Sequence, residues 1–333
     1  MDSGQMMQAV AIPFDEGVQQ ELVARLETLR RVSLENGQAS GFAEFLNEVD
    51  AAFKRYEEGT YGICETCNEP MNVSRMLADP LARVCLDELT GKQKAALEDD
   101  LQFAAEIQRG LLPERAVSHG RWSVDFIYEP AGIISGDYCD VIVDNDDLYF
   151  LLGDVSGKGM AASLLMSNLH AIFHSLVPLG LTVAELMVRA NRLLLKSSLS
   201  NQFATLVCGK ASADGAVEIA NAGHPRPIVI REGGKRELSG TGLPLGLFCE
   251  AQYSTQTLQL DPNDCLLLFT DGVTEAMDAE GVEFGTSRLD EAVRGHSFTT
   301  PGALVSKCAE HVAAFRGAAD RHDDLTMLAL SFS

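Results

Sequence analysis

Four aspartates each stand at the end of an apolar run in a glycine-rich setting: Asp137 in Ser-Gly-Asp-Tyr, Asp154 in Gly-Asp-Val-Ser-Gly-Lys-Gly, Asp271 in Thr-Asp-Gly-Val and Asp323 in His-Asp-Asp-Leu-Thr. The runs themselves, such as Leu148-Tyr149-Phe150-Leu151-Leu152 and Cys265-Leu266-Leu267-Leu268-Phe269, are short and nearly unbroken, as in strands buried on both faces. A fold that accepts them must cover both faces of each strand and still compensate the charge at its end. Carboxylates gathered at neighbouring strand ends repel one another and take up protons unless divalent cations neutralise them. Oxygen-only donors suit Mg²⁺ or Mn²⁺ better than zinc. Taken singly, each aspartate beside a glycine also reads as an ordinary turn or cap residue.

Composition narrows the partners. With 333 residues, 46% of them hydrophobic, and 11 prolines, the chain can bury a large domain and a smaller one. Acidic residues outnumber basic ones by 48 to 26, a net charge of -22, which opposes binding to nucleic acid or anionic lipid. No nucleic-acid or membrane partner is therefore expected. The first thirty residues lack a basic start followed by an apolar core, and no stretch approaches the roughly 20 apolar residues that cross a bilayer, so a cytoplasmic location is expected. Cys139, Cys208, Cys249, Cys265 and Cys308 lie singly in apolar surroundings and are expected to be buried thiols.

In the N-terminal part, apolar spacing predicts a helix over Glu16 to Val32, a break at Asn36-Gly37 and a second helix from Phe42 to Glu58, paired as an antiparallel hairpin. Cys64-Glu65-Thr66-Cys67 then meets Cys85-Leu86-Asp87-Glu88 at the spacing of a four-cysteine zinc knuckle whose last cysteine is a glutamate. Together with Tyr61-Gly62-Ile63 and Glu69-Pro70, this stretch resembles the DksA/TraR zinc-finger family over about Glu44 to Glu88. The resemblance implies Cys64, Cys67 and Cys85 as ligands of one Zn²⁺, with Glu88 or a water in the fourth position. A metal-free remnant and an oxidisable thiol pair are the other readings. The hairpin turn, Leu34 to Gly41, offers only Glu35 and no acidic pair, so a regulatory or dimerising role is expected rather than action on RNA polymerase. From Leu89 to Leu112 a charged helical segment carries an apolar stripe through Leu97, Leu101, Ile107 and Leu111. This linker is expected to support a homodimer.

The remainder carries an ordered series of motifs. Ile107-Gln108-Arg109-Gly110-Leu111-Leu112-Pro113 is followed by Ser135-Gly136-Asp137-Tyr138-Cys139-Asp140 and Gly153-Asp154-Val155-Ser156-Gly157-Lys158-Gly159. Then come Asn221-Ala222-Gly223-His224-Pro225, Gly242-Leu243-Pro244-Leu245-Gly246, Phe269-Thr270-Asp271-Gly272-Val273 and Asp323-Asp324-Leu325-Thr326. In this order they resemble the SpoIIE-like and RsbU-like branch of the PPM metal-dependent serine/threonine phosphatases, over about Leu97 to Phe332. That family implies an α+β fold: a β-sandwich flanked by helices, here preceded by the helical hairpin and the small zinc-finger-like module.

The resemblance further implies two Mn²⁺ or Mg²⁺ ions, with Asp154 bridging them, Asp271 and Asp323 completing one site, Asp137 the other, and the Val155 carbonyl facing a metal. Water activated by the ions would then be the nucleophile. Asp140 and Asp324 either support these ligands or lie on an exposed strand or turn, and Lys158 is a candidate to steer a phosphate. Ser156 stands where eukaryotic relatives carry a histidine that protonates the leaving group, so slow turnover is expected. No Gly-x-Ser-x-Gly elbow or complete phosphate loop is present. The domains expected are a hairpin at 1–60, a zinc-finger module at 61–88, a linker at 89–115 and a phosphatase domain at 116–333. The function expected is hydrolysis of phosphoserine or phosphothreonine on a regulatory protein, by family analogy an anti-sigma-factor antagonist, under control of the N-terminal module. Two rival readings are a polymerase-binding or sensor protein that uses the phosphatase domain as a scaffold, and a small-molecule phosphatase.

Overall fold

The computed structural model describes residues 13–35, 42–85, 91–197, 202–231, 234–240, 242–294, 298 and 300–333. Glu88 and most of the turn expected over 34–41 lie outside them. The chain divides into two compact units, Met1–Asp100 and Leu101–Ser333.

In the first unit, helices α1 (Glu16–Glu35) and α2 (Phe42–Glu57) lie side by side. Leu22 and Leu26, one turn apart, are fully buried with Ala52 in a single cluster. Arg30 reaches across from α1, with Nε 3.0 Å from Asp50 Oδ1 and its guanidinium 5.5 Å from the Phe53 ring. The first helix runs three residues past Val32, because nothing in Ser33-Leu34-Glu35 stops it before Asn36-Gly37. After α2 the chain makes a tight knuckle bridged between Ile63 and Pro70, then a short helix α3 (Val73–Ala78), whose N-terminus is capped by Asn72 accepting from the Ser74 N–H at 2.8 Å. Tyr61, Cys64, Met71 and Met76 complete this small core.

Helix α4 (Gly91–Leu111) leads into the second unit, in which eleven strands among the described residues form two antiparallel sheets. In chain order these are β1 (Val117–His119), β2 (Trp122–Glu129), β3 (Asp137–Asp144), β4 (Asp147–Val155), β5 (Ala204–Ala211), β6 (Ala216–Ala222), β7 (Ile228–Arg231), β8 (Gly234–Glu237), β9 (Thr255–Gln259), β10 (Cys265–Phe269) and β11 (Leu325–Phe332). One sheet has the order β1-β2-β11-β10-β7-β8 and the other β3-β4-β5-β6-β9. Helices α5 (Met160–Leu176) and α6 (Val183–Ser197) follow β4, and α7 (Asp271–Thr274), α8 (Gly285–Val293) and α9 (Pro301–Arg316) follow β10.

The period-2 alternation of the strands assigns each residue to a layer. Cys139, Phe150, Leu152 and Val207 face Phe126, Leu266, Leu268 and Leu328 between the sheets. The opposite face of the five-stranded sheet, including Tyr138, Leu151 and Leu206, packs on Met166, Leu169 and Phe173 of α5 and Leu186 and Met187 of α6. On the far side Leu267 and Met327 pack on Leu289, Leu304 and Val305 of α8 and α9. The result is the helix-flanked β-sandwich expected from the sequence.

Differences from expectation have local causes. β1 and β8 carry no apolar alternation, and every residue of β8 is exposed, so neither strand shows in the sequence. β3 opens at Asp137 itself, ahead of its apolar residues, because Asp137 pairs with Asp154 across the β3–β4 ladder. Met160–Leu179 is long and apolar enough by composition to cross a membrane, with a mean hydropathy of 1.3, contrary to the expectation that no stretch comes close. Half of it is buried in the core, where α5 covers the sheet. Cys249 is exposed, whereas Cys139, Cys208, Cys265 and Cys308 are buried as expected.

Candidate active site

The sandwich brings the four aspartates to neighbouring strand ends. Asp137 opens β3 and is the Cα partner of Asp154 near the end of β4. Asp271 follows β10 by two residues and Asp323 precedes β11 by two residues, and those two strands are paired from Phe269↔Met327 onward. Two glycines keep this junction open. A Cβ at Gly136 would stand 3.1 Å from the Val155 carbonyl oxygen and 3.5 Å from Asp154 Oδ1, filling the space beside both groups. At Gly272 a Cβ would lie 1.9 Å from the Asp324 carbonyl oxygen, so only glycine lets the turn after β10 press against Asp323-Asp324.

Burial and crowding decide the electrostatics. Asp154 is pushed up to about 7, first by burial and then by Asp271, Asp323 and Asp324, with Lys158 pulling weakly the other way. Asp271 is raised by burial and by Asp323. Asp137 is almost wholly buried and its pKa lies well above the usual carboxylate range. Burial is the main cause, Asp154 and Asp324 add to it, and two threonine hydroxyls oppose it. Thr270 Oγ1 and Thr326 Oγ1 both donate to Asp137 Oδ2, at 3.0 and 2.5 Å. Lys158 Nζ stands 3.1 Å from Asp323 Oδ2 and donates to the His322 carbonyl at 2.7 Å.

A metal-free cluster of this kind holds protons that a divalent cation would displace, and the glycine-lined space beside Asp154 and the Val155 carbonyl supplies room and oxygen donors. The residues present thus fit Mn²⁺ or Mg²⁺. Asp324 belongs to the frame of the site: Oδ1 accepts the Ala131 N–H and Oδ2 the Gly136 N–H, both at 2.8 Å, which fixes the loop leading to Asp137. Ser156 is occupied otherwise, its Oγ accepting the Phe203 N–H at 2.9 Å.

Three contributors were not singled out from the sequence. Thr270 and Thr326 sit beside the motif aspartates, and that adjacency was the only signal. Gln108 of α4 is buried and braces the same loop, its Nε2 donating to the Ser135 carbonyl at 2.7 Å and its Oε1 accepting the Ser135 N–H at 3.0 Å. Its Nε2 also lies 3.2 Å from Ser163 Oγ on α5. His224 is buried between strands, with Nδ1 2.8 Å from Thr205 Oγ1, and burial drives its pKa down to about 3. It is therefore a neutral framework histidine.

Asp140 is the exception. The exposed strand phase considered for it does not hold: it is buried, and on β3 it points away from the sheet-to-sheet layer that holds Asp137. An offset of three along a strand reverses the face. Its neighbours are Tyr138, His170 and His174.

In the first unit, Cys64, Cys67 and Cys85 bring their sulfurs within 4.8 Å of one another. Cys67 Sγ and Cys85 Sγ are 3.8 Å apart, and Cys64 Sγ accepts the Cys85 N–H at 3.3 Å. Backbone N–H groups, that of Cys67 foremost, lower the Cys64 thiol to about 6. Three convergent sulfurs, that of Cys64 with thiolate character, fit a zinc ion.

Comparison with known proteins agrees with both halves. The family pattern of stage II sporulation protein E (SpoIIE) matches residues 144–333, more than half of the chain, and that of the prokaryotic DksA/TraR C4-type zinc finger matches residues 59–94. Protein IcfG of Synechocystis is 26% identical over 261 residues, which cover 69% of this chain and 41% of IcfG. Phosphoserine phosphatase RsbU of Bacillus subtilis is 24% identical over 237 residues, 70% of each chain. The SiaA-PP2C domain of Pseudomonas aeruginosa superposes with a TM-score of 0.65 at 20% identity, covering 74% of this chain and all of that one, which shows the shared fold.

Proposed function

The chain belongs to the SpoIIE family, and from that premise we propose that its second unit is a Mn²⁺- or Mg²⁺-dependent phosphatase acting on phosphoserine or phosphothreonine of a regulatory protein. The observation that carries this reading is the electrostatic coupling of Asp154 to Asp271 and Asp323 at adjoining strand ends. Asp137, Asp154, Asp271 and Asp323, with the Val155 carbonyl, are the groups that would hold the ions. Divalent ions bound there supply an activated water and neutralise phosphoryl oxygens during in-line displacement.

The chain's own residues do the rest. Asp324 and Gln108 fix the Ser135-Gly136-Asp137 loop from two sides, and Thr270 and Thr326 hold Asp137 at the seam between the sheets. Lys158, mostly exposed at the rim, presents an ammonium that can exchange Asp323 for a phosphoryl oxygen. Ser156 Oγ is held by the backbone and has no acidic proton to give to a leaving group at neutral pH. Slow turnover follows.

RsbU is named as a phosphoserine phosphatase, and by family analogy the substrate here is an anti-sigma-factor antagonist. We assign residues 1–60 to a hairpin, 61–88 to a zinc-finger module, 89–115 to a linker and 116–333 to the catalytic domain, with the N-terminal part regulating the catalytic one in the cytoplasm. Leu97, Phe103 and Ile107 are exposed on α4, which supports the homodimer reading. The test is Mn²⁺-dependent dephosphorylation of a phosphoserine peptide by the full chain, by a fragment starting at Gly91, and by Asp154→Ala. Activity that rises in the fragment and vanishes in the variant supports a regulated phosphatase. A preference for nucleotides or sugar phosphates over the peptide would instead identify a small-molecule phosphatase, and inactivity of every form would leave the domain a scaffold.

A further inference from the structure

On the opposite face of β3 from Asp137, a second group of donors converges. Asp140 of β3 is buried, and its Oδ1 accepts the Val141 N–H at 2.8 Å, which leaves Oδ2 directed at α5. There His170 and His174, four residues apart and therefore on one helix face, bring Nδ1 and Nε2 to 3.1 and 2.9 Å from that single oxygen. The two imidazole rings are 4.0 Å apart between centroids, and the three donor atoms all lie within 4.8 Å of one another.

Hydrogen bonding accounts for only part of the cluster: His174 Nε2 is hydrogen-bonded to Asp140 Oδ2 at 2.9 Å. Tyr138 OH also donates to Asp140 Oδ2, at 2.9 Å, so three polar atoms crowd one carboxylate oxygen. His170 Nδ1 is buried and makes no hydrogen bond, despite its closeness to that oxygen. Two protonated imidazoles at this ring separation would repel each other, and the neutral imidazole is the form that ligates metals.

We infer that Asp140, His170 and His174 form a binding site for a transition-metal ion of the Zn²⁺ class, separate from the carboxylate cluster. Two imidazoles and one carboxylate are a zinc donor set, and donor atoms on a tetrahedral ion with bonds of about 2.0 to 2.1 Å stand about 3.3 Å apart, close to the spacings seen. Tyr138 and the Val141 N–H orient the carboxylate, as supporting groups do around metal ligands. His174 is 44% exposed, which leaves an entry path and an open position for water. Bound metal would staple α5, the helix that begins just beyond the Asp154 loop, to β3.

The full chain, equilibrated with Zn²⁺ in excess Mg²⁺ and dialysed against a zinc buffer, is assayed for metal content alongside His170→Gln/His174→Gln. The double variant is expected to hold one equivalent less than the parent, with the cysteine-bound zinc retained in both. His174→Gln alone, altered at a half-exposed position, serves if the double variant misfolds; it should release that equivalent at a free zinc level at which the parent keeps it. Equal zinc content and equal retention in folded variants would overturn the assignment and leave a metal-free carboxylate–histidine cluster.

Discussion

Asp137 and Asp140 stand three residues apart on one strand, both almost fully buried, yet they meet opposite chemistry. Asp137 faces the seam between the sheets, where its neighbours are two threonine hydroxyls and the carboxylates of Asp154 and Asp324. Asp140 faces the helix layer, where its neighbours are a tyrosine hydroxyl and two imidazoles. One strand thus supplies an oxygen-only setting suited to hard cations and a mixed nitrogen and oxygen setting suited to softer ones. The same residue type takes its role from the face it occupies.

The largest effect that tests this contrast is expected on the seam side. Asp154→Ala removes the central carboxylate and should lower kcat/KM at least about 10³-fold while the far-ultraviolet circular dichroism stays unchanged. Retained turnover would remove Asp154 from the chemistry. Thr326→Val keeps shape but deletes one of the two hydroxyl bonds to Asp137, and a lost hydrogen bond to a charged group corresponds to roughly 10- to 100-fold in rate. Its pH–rate profile should also move to higher pH, since the hydroxyl favours the ionised carboxylate. An unshifted profile would mean that Asp137 titrates without help from the threonine.

A thermal melt of chelator-treated protein tests the seam face by pH. The Asp154 pKa is raised from 3.8 to about 7 on folding, so its contribution to stability is full below 3.8 and is lost as pH rises through about 7. The metal-free melting temperature should therefore fall between about pH 4 and about pH 7, with Mn²⁺ abolishing the fall and Asp154→Asn flattening it. A fall of unchanged size in Asp154→Asn would assign it to other groups.

Smaller effects belong to the supports. Gln108→Ala deletes the bonds to Ser135 and should cost about 2 kcal/mol, lowering the melting temperature by several degrees and activity with it. Unchanged activity would show that the loop holds itself through Asp324. Glu88→Cys should tighten zinc binding at the cysteine knuckle in a chelator competition, and an unaltered affinity would exclude position 88 from that site.

Much of this architecture was legible beforehand. Leu148–Leu152 and Cys265–Phe269 are strands because unbroken apolar runs of that length have few other solutions. The strands β1 and β8 were not legible, since they are only three and four residues long and carry no buried alternation to mark them.

By itself the sequence determined the apolar core strands, because hydrophobic period is a local property of the chain, and its ordered motifs pointed by resemblance to the sandwich class, the cysteine knuckle and the four candidate aspartates. Only the tertiary structure decided that Thr270 and Thr326 hold Asp137, that Gln108 braces the loop before it, and that Asp140 turns to His170 and His174. Those pairings join positions up to 189 residues apart, and the stacking of two sheets and a helix, rather than any local pattern, selects which side chains share a buried carboxylate.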